Sequence, residues 1–272
     1  MAKKVASQSK KRTNKPRKAM VIVHGGGDIP ENYYENVVSA VKKRLGKSFK
    51  FISAYYSDVV TGRTGRIAAM AAVAESPEVA RFKAEYEKQL RDAHAKNQAE
   101  KRALGTAAFL DSFIDKALTD TVNEVVQYLF NKSVTSEVQA RLIEALDQAT
   151  QKNVEIVLVS HSLGTVVSFD VLKQFADRYK IAYWFTLGCP LLKLVKLRCR
   201  EAALGEINDS RVARWHNVYD TNDFVADAIG ASFHAPDCRI HDIFVEVANA
   251  MPAAHDYFNN AETDDVLAEA MR

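Results

Sequence analysis

Val154-Glu155-Ile156-Val157-Leu158-Val159-Ser160-His161-Ser162-Leu163-Gly164-Thr165 decides the reading of this chain. The apolar run 154–159 has the length and β-branched content of a buried strand, and Thr165 to Ala176 continues as a helix-like run. Between them stands Ser160-His161-Ser162-Leu163-Gly164. Strand, tight turn and helix put the Ser162 hydroxyl at the apex, pushed away from the sheet toward solvent or substrate. Such a turn demands small residues around its serine, and Ser160 nearly meets the demand that Gly usually meets. The plainer alternative is a serine that only caps a helix.

The same strand signal recurs on both sides. Ala19 to Val23 is short, apolar and β-branched, and His24-Gly25-Gly26-Gly27 ends it. A helix is expected from about Glu31 to Leu45, with Tyr34, Val37, Val38, Val41 and Leu45 on one face. Further strands are expected at 49–55, 181–187, 214–219 and 240–247. Strands separated by helices predict an α/β fold, a mostly parallel sheet with helices on both faces. Strand order does not follow from the pattern.

Residues 61–153 carry no strand signal. Ser76-Pro77 reads as a helix start, and Val79, Phe82, Tyr86 and Leu90 make a narrow apolar stripe beyond it. Leu110, Ile114, Leu118, Val122, Val125, Val126 and Leu129 make a broader stripe. Ser136-Glu137-Val138-Gln139 resembles a capping box that starts a third helix. The third helix is expected in the core layer that leads into the serine strand. The first two read as an insertion over about 62–135, a cap or lid over the site, a surface for self-association or another partner, or plain core packing.

A serine nucleophile needs a base, and the base needs an acid to orient it. In a fold of this class the acid and then the base follow the serine in the chain, each in a loop after a strand. Asp220 and Asp223 both follow the strand that ends near Tyr219. Asp223 is preferred, because Phe224 behind it can plug into the core. Asp220 reads as a turn cap, and Asp227 as a solvated or capping residue. Of the seven histidines, His255 alone lies after the last expected strand. His94 reads as solvated, His216 as packed, His234 and His241 as structural or exposed, and His161 as a shaper of the turn or a ring packed against a neighbouring strand. Acyl transfer also needs fixed N–H donors aimed at the carbonyl oxygen. Leu163 N–H is one, and Gly26 N–H is the second, with Gly25 and Gly27 forming its loop. That glycine run lacks the spacing of a phosphate loop. No cluster of His, Cys and carboxylates suggests a metal site, and no cofactor is expected.

Composition narrows the partners. Residues 1–18 hold eight Lys or Arg and no acid, so the formal charge of +3 falls to −5 without them. That segment is expected to be a disordered basic tail preceding one domain, 19–272. It lacks interleaved aromatic residues, so nucleic acid is not favoured. No apolar run of about 18 residues occurs, which leaves no spanning helix. No apolar h-region follows the basic residues, so no secretory signal is expected. Three cysteines, Cys189, Cys199 and Cys238, have no metal-like spacing and read as reduced thiols in a cytoplasmic compartment.

The segments VIVHGGG (21–27), VLVSHSLGT (157–165), TLGCPL (186–191), WHNVYDTNDFVA (215–226) and AAHDYF (253–258) together resemble the α/β-hydrolase superfamily, in particular its lipase-like serine esterases. The resemblance spans 19–58 and 154–258 and implies Ser162 as nucleophile, Asp223 as acid, His255 as base, and oxyanion donors at Leu163 and near Gly26. Cys189 stands where such lipases have Ser, and Phe224 where many have Pro. Segment 62–135 has no counterpart. The expected activity is hydrolysis of a small or lipidic carboxylic ester. The rival expectations are a membrane-associated lipid acylhydrolase or acyltransferase, and a non-catalytic interaction module on the same fold.

Overall fold

A computed structural model describes residues 18–46, 49–61, 76–103, 111–151, 153–175, 178–197, 212–231 and 240–272, without the side chains of 101–103, 111–114, 195 and 196. Six strands, β1 (Lys18–Val23), β2 (Phe49–Ala54), β3 (Glu155–His161), β4 (Ile181–Leu187), β5 (Trp215–Tyr219) and β6 (Ile240–Phe244), form one sheet in the order β2-β1-β3-β4-β5-β6. Every pair is parallel. The protein is therefore of the α/β class expected from its strand and helix alternation.

The helices are α1 (Glu35–Leu45), α2 (Ser57–Val60), α3 (Pro77–Ala103), α4 (Asp111–Phe130), α5 (Lys132–Ala149), α6 (Leu163–Gln174), α7 (Leu191–Leu197) and α8 (Ala261–Ala270). They cover both faces because successive strand residues point to opposite sides. Ala19, Val21 and Val23 join a core with residues of α3, α4, α5 and α6, including Tyr86, Val122 and Leu142. Met20 and Ile22 join a second core with Val37 and Val41 of α1 and Leu267 of α8. Among the described residues, no helix is long and apolar enough to cross a membrane.

The two helices read as an insertion bury their stripes. Val79, Phe82, Tyr86 and Leu90 of α3, and Leu118, Val122, Val125 and Val126 of α4, are all buried in the core beneath one sheet face. Leu110 and the Ile114 side chain lie outside the described residues, as do 62–75, Cys199, Cys238 and His234. The capping box at Ser136 is a correction. The helix starts a turn earlier, at Lys132, because the Asn131 side chain accepts from Ser133 N and Val134 N. Ser136 and Glu137 lie inside α5, where Glu137 faces Arg141 one turn on. The expected end of the insertion at 135 thus falls within a helix. Lys18 is likewise a strand residue, with Nζ donating to Met271 O, and residues 1–17 lie outside the described range. α8 has no counterpart among the expected helices, although Asn260 caps it by accepting from Thr263 N.

Strand register brings the ends of the parallel strands to one rim. Val23 lies opposite both Ala54 and Ser160, His161 opposite Leu187, and Leu187 opposite Val218. From β1 the chain turns away to β2, and from β3 it turns the other way to β4. Adjacent strands whose exits diverge leave a crevice at their carboxyl ends. The loops beginning at His24 and at Ser162 flank that crevice.

Gly164 sets how closely α6 approaches β1. A Cβ there would lie 2.3 Å from the His24 carbonyl oxygen and 3.0 Å from Val23 Cγ1. The backbone cannot yield without moving the strand end. Gly164→Val is expected to destabilise the fold by about 2–3 kcal/mol, read as a lowered urea midpoint at unchanged slope.

Candidate active site

Ser162 has φ 50° and ψ −123°, a conformation that non-glycine residues rarely adopt and that costs on the order of 1–3 kcal/mol. Three backbone and side-chain bonds hold it. Ser162 N donates to Leu187 O, while Ser162 O accepts from Thr165 N and from Thr165 Oγ1. Ser160, the departure from Gly, has its own role: its Oγ accepts from Trp184 Nε1 at 2.8 Å and donates to Phe185 O. Trp184 stacks on Trp215, which donates to Thr186 Oγ1, which in turn donates to Asn217. A satisfied polar chain beneath the rim thus locks β3, β4 and β5 under the serine turn.

The acid and the imidazole meet. His255 Nδ1 lies 2.6 Å from Asp223 Oδ2. The same oxygen accepts from Tyr257 Oη at 3.0 Å, and Asp223 Oδ1 accepts from Val225 N at 2.9 Å. A carboxylate offers only acceptors, so the proton belongs on Nδ1 and the Nε2 lone pair is free to act as a base. Burial and the nearby Asp223 charge hold the Tyr257 phenol well above its ordinary pKa, which keeps it a donor to Asp223. Phe224 is buried behind the acid, as its position suggested.

Asp220 does a different job. Its Oδ1 accepts from Asn222 N, and its Oδ2 from Val247 N and Ala248 N. Val245 N still donates to Tyr219 O of β5, and the next donors, Val247 N and Ala248 N, are turned to Asp220, so β6 does not run on to Val247 as expected. Asp227 departs from the solvated reading: its Oδ1 pairs with the buried Lys193 at 2.6 Å, and Lys193 also donates to Val225 O and Ala226 O. His94 is not free in solvent either, since its ring meets Phe224 edge-on at 5.7 Å. His216 is stacked between Phe185 and His241, and burial lowers its pKa to about 4.

Two further histidines shape the site. His161 Nε2 is 2.9 Å from His255 O, and its ring lies 4.6 Å from the His255 ring. Burial, then the charge of a protonated His255, press its pKa well below the usual value. Neutral His161 therefore donates to the His255 carbonyl and tethers that loop to the serine turn. His24 Nε2 accepts from Tyr56 N, so its Nδ1–H faces Gly25 O and fixes the start of the glycine loop. Burial takes its pKa down to about 4.

The glycine loop lies against the serine. A Cβ on Gly25 would lie 2.7 Å from Ser162 Cβ and 3.3 Å from Ser162 Oγ, so only glycine allows the approach. Leu163 is the first residue of α6, and its N–H has no acceptor within the helix. Gly26, Leu163, Ser162 and His255 line one cavity of about 70 Å3. Tyr86 of α3 and Glu124 of α4 complete its wall. Ser162 and His255 share that wall, but among the described residues no hydrogen bond joins them directly. Such contacts commonly tighten only when substrate is bound. A larger cavity, about 300 Å3, reaches the other flank of Asp223 beside Lys96 and Lys193, and does not include Ser162 or His255.

The chain matches no protein-family model, and no curated protein matches it. Among the described residues no group of His, Cys, Asp and Glu is arranged to hold a metal ion. Cys189 is buried as a free thiol, and burial pushes its pKa up to about 12, so it offers no nucleophile.

Glu124 and Tyr86 entered the sequence reading only as residues of helical segments, or not at all. Glu124 Oε2 would lie only 1.7 Å from a Cβ on Gly26, and burial raises its pKa to about 7. Glu124 falls outside the apolar stripe of its helix, and nothing local in the sequence marks it.

Proposed function

We propose that this protein is a serine hydrolase that cleaves carboxylic esters through an acyl-enzyme, on an α/β-hydrolase-like fold. The observation that carries the reading is the His255 Nδ1–Asp223 Oδ2 hydrogen bond beside a strained serine turn. The serine motif alone required such a pair, and required it at this rim.

Ser162 Oγ attacks the ester carbonyl carbon while His255 Nε2 takes its proton. The carbonyl oxygen becomes an oxyanion facing the N–H groups of Leu163 and Gly26. Collapse of the adduct expels the alcohol, which receives the proton from His255. Water then attacks the acyl-enzyme, with His255 again as base, and releases the acid and free Ser162. Asp223 stays ionised throughout and holds the imidazole in place.

The cavity is small, and Thr121 and Glu124 give it polar wall. That supports a short acyl group over a long lipidic one. The apolar stripes of α3 and α4 are packed into the core, and Phe244 is the exposed large apolar side chain among the described residues. Both facts weigh against a membrane-directed acylhydrolase or acyltransferase and against a helical docking module. The two helices contribute Tyr86, Thr121, Glu124 and Val125 to the wall of the site.

A fluorophosphonate probe tests the reading. The intact protein is expected to be labelled once, with the adduct mapped by peptide mass spectrometry to the Ser162 peptide. An unlabelled, folded protein would leave the non-catalytic module as the better account.

A further inference from the structure

The cavity wall holds one ionisable group that the mechanism above does not use. Glu124 projects from α4 onto the glycine loop, with Oε2 against Gly26 and Oε1 3.9 Å from the site of a Cβ on Gly27. The same carboxyl lines the cavity with Ser162, Leu163 and His255. A carboxylate there would stand beside the oxygen that gains negative charge, and would oppose the reaction it borders. The neutral acid has the opposite effect, because its O–H can point at that oxygen.

We propose that the Glu124 carboxyl is a further catalytic residue, a third hydrogen-bond donor to the reacting carbonyl oxygen beside Gly26 N–H and Leu163 N–H. The inference rests on the hydrolase reading. No bond to Glu124 is made or broken: its proton stays on the carboxyl and is shared with the oxyanion through the transition state. The Gly27 N–H faces the carboxyl, which leaves one oxygen as acceptor and the other to carry the proton.

The surroundings favour the acid form near neutral pH. Burial is the main cause of the upward shift to about 7, with Asp120 one turn back on α4 adding to it and the Gly27 N–H opposing it. Four neighbouring groups keep one charge state between about pH 6 and 9. Tyr56 and Tyr86 are driven above their usual range by burial, while His161 and His24 are held below theirs. The hydrogen-bonded His255–Asp223 pair faces it across the cavity.

The sign follows. The donor is present below about pH 7 and is lost as pH rises through it. Glu124→Gln keeps a donor at every pH, since the amide oxygen can take the Gly27 N–H and the NH2 can face the substrate. With p-nitrophenyl acetate, kcat/KM of this variant at pH 6 is expected within about 3-fold of wild type, and at pH 9 about 10-fold or more above it. Glu124→Ala is expected to fall by about 10-fold or more at pH 6, in kcat rather than KM. If Ser162 is labelled by the fluorophosphonate and Glu124→Gln follows the wild-type profile at every pH, this inference fails and the hydrolase reading stands. If wild type is not labelled, both fall.

Discussion

Asp223→Asn is expected to lower kcat/KM for a short p-nitrophenyl ester by about 10⁴-fold with the fold intact. The wild-type carboxylate is surrounded by donors: His255 Nδ1 and Tyr257 Oη on Oδ2, Val225 N on Oδ1. An amide cannot serve all three. With its oxygen toward Val225 N, its NH2 faces the imidazole and forces the proton from Nδ1 to Nε2. The base then has no lone pair for the Ser162 proton. With the amide turned over, two N–H groups collide at Val225. Either arrangement costs a buried hydrogen bond, about 1–3 kcal/mol, and the first also removes the base. Near-ultraviolet circular dichroism checks that packing survives, and steady-state kinetics reads the loss. Activity within about 10-fold of wild type would mean that the Asp223–His255 contact is structural and the acid lies elsewhere.

Ser162→Ala is expected to reduce ester hydrolysis by at least about 10³-fold, to the level of residual binding and oxyanion stabilisation, and to abolish fluorophosphonate labelling. It is a clean deletion for a structural reason. The bonds that hold residue 162 run through its backbone, to Leu187 O and from Thr165. Alanine has the same Cβ at the same positive φ, so the strain already present is unchanged. The variant should therefore match wild type in thermal midpoint to within a few degrees, and a differential scan measures this. Retained hydrolysis in a folded variant would place the nucleophile outside the serine turn.

Legibility in the sequence followed the range of the interactions involved. β1 and β4 were readable almost to the residue, because a strand buried on both faces is a continuous apolar run with sharp ends. The start of α5 was misread, because Ser136-Glu137 and Asn131 are both good local caps and only the packing of Val134 into the core chooses between them. The contact between Asp223 and His255 could be anticipated, because a serine at a strand-to-helix turn suggests in which later loops its partners would lie. Asp227 and His94 were misread for one reason: a polar side chain's partner can be distant in sequence, here Lys193 and Phe224.

The chain by itself determined the alternation of strands and helices, the strand-to-helix turn at Ser162 and the placing of Asp223 and His255 in later loops, since each is a local pattern or a consequence of one. Tertiary structure alone decided the strand order, the packing of α3 and α4 into the core, and the delivery of Glu124 onto the glycine loop. Residues 26 and 124 are far apart in the chain, and no periodicity or local propensity encodes a contact that exists only once helix α4 is pressed against the rim. That closeness also sets the carboxyl's charge, because the burial that raises its pKa is a property of the assembled site and of no segment of the sequence.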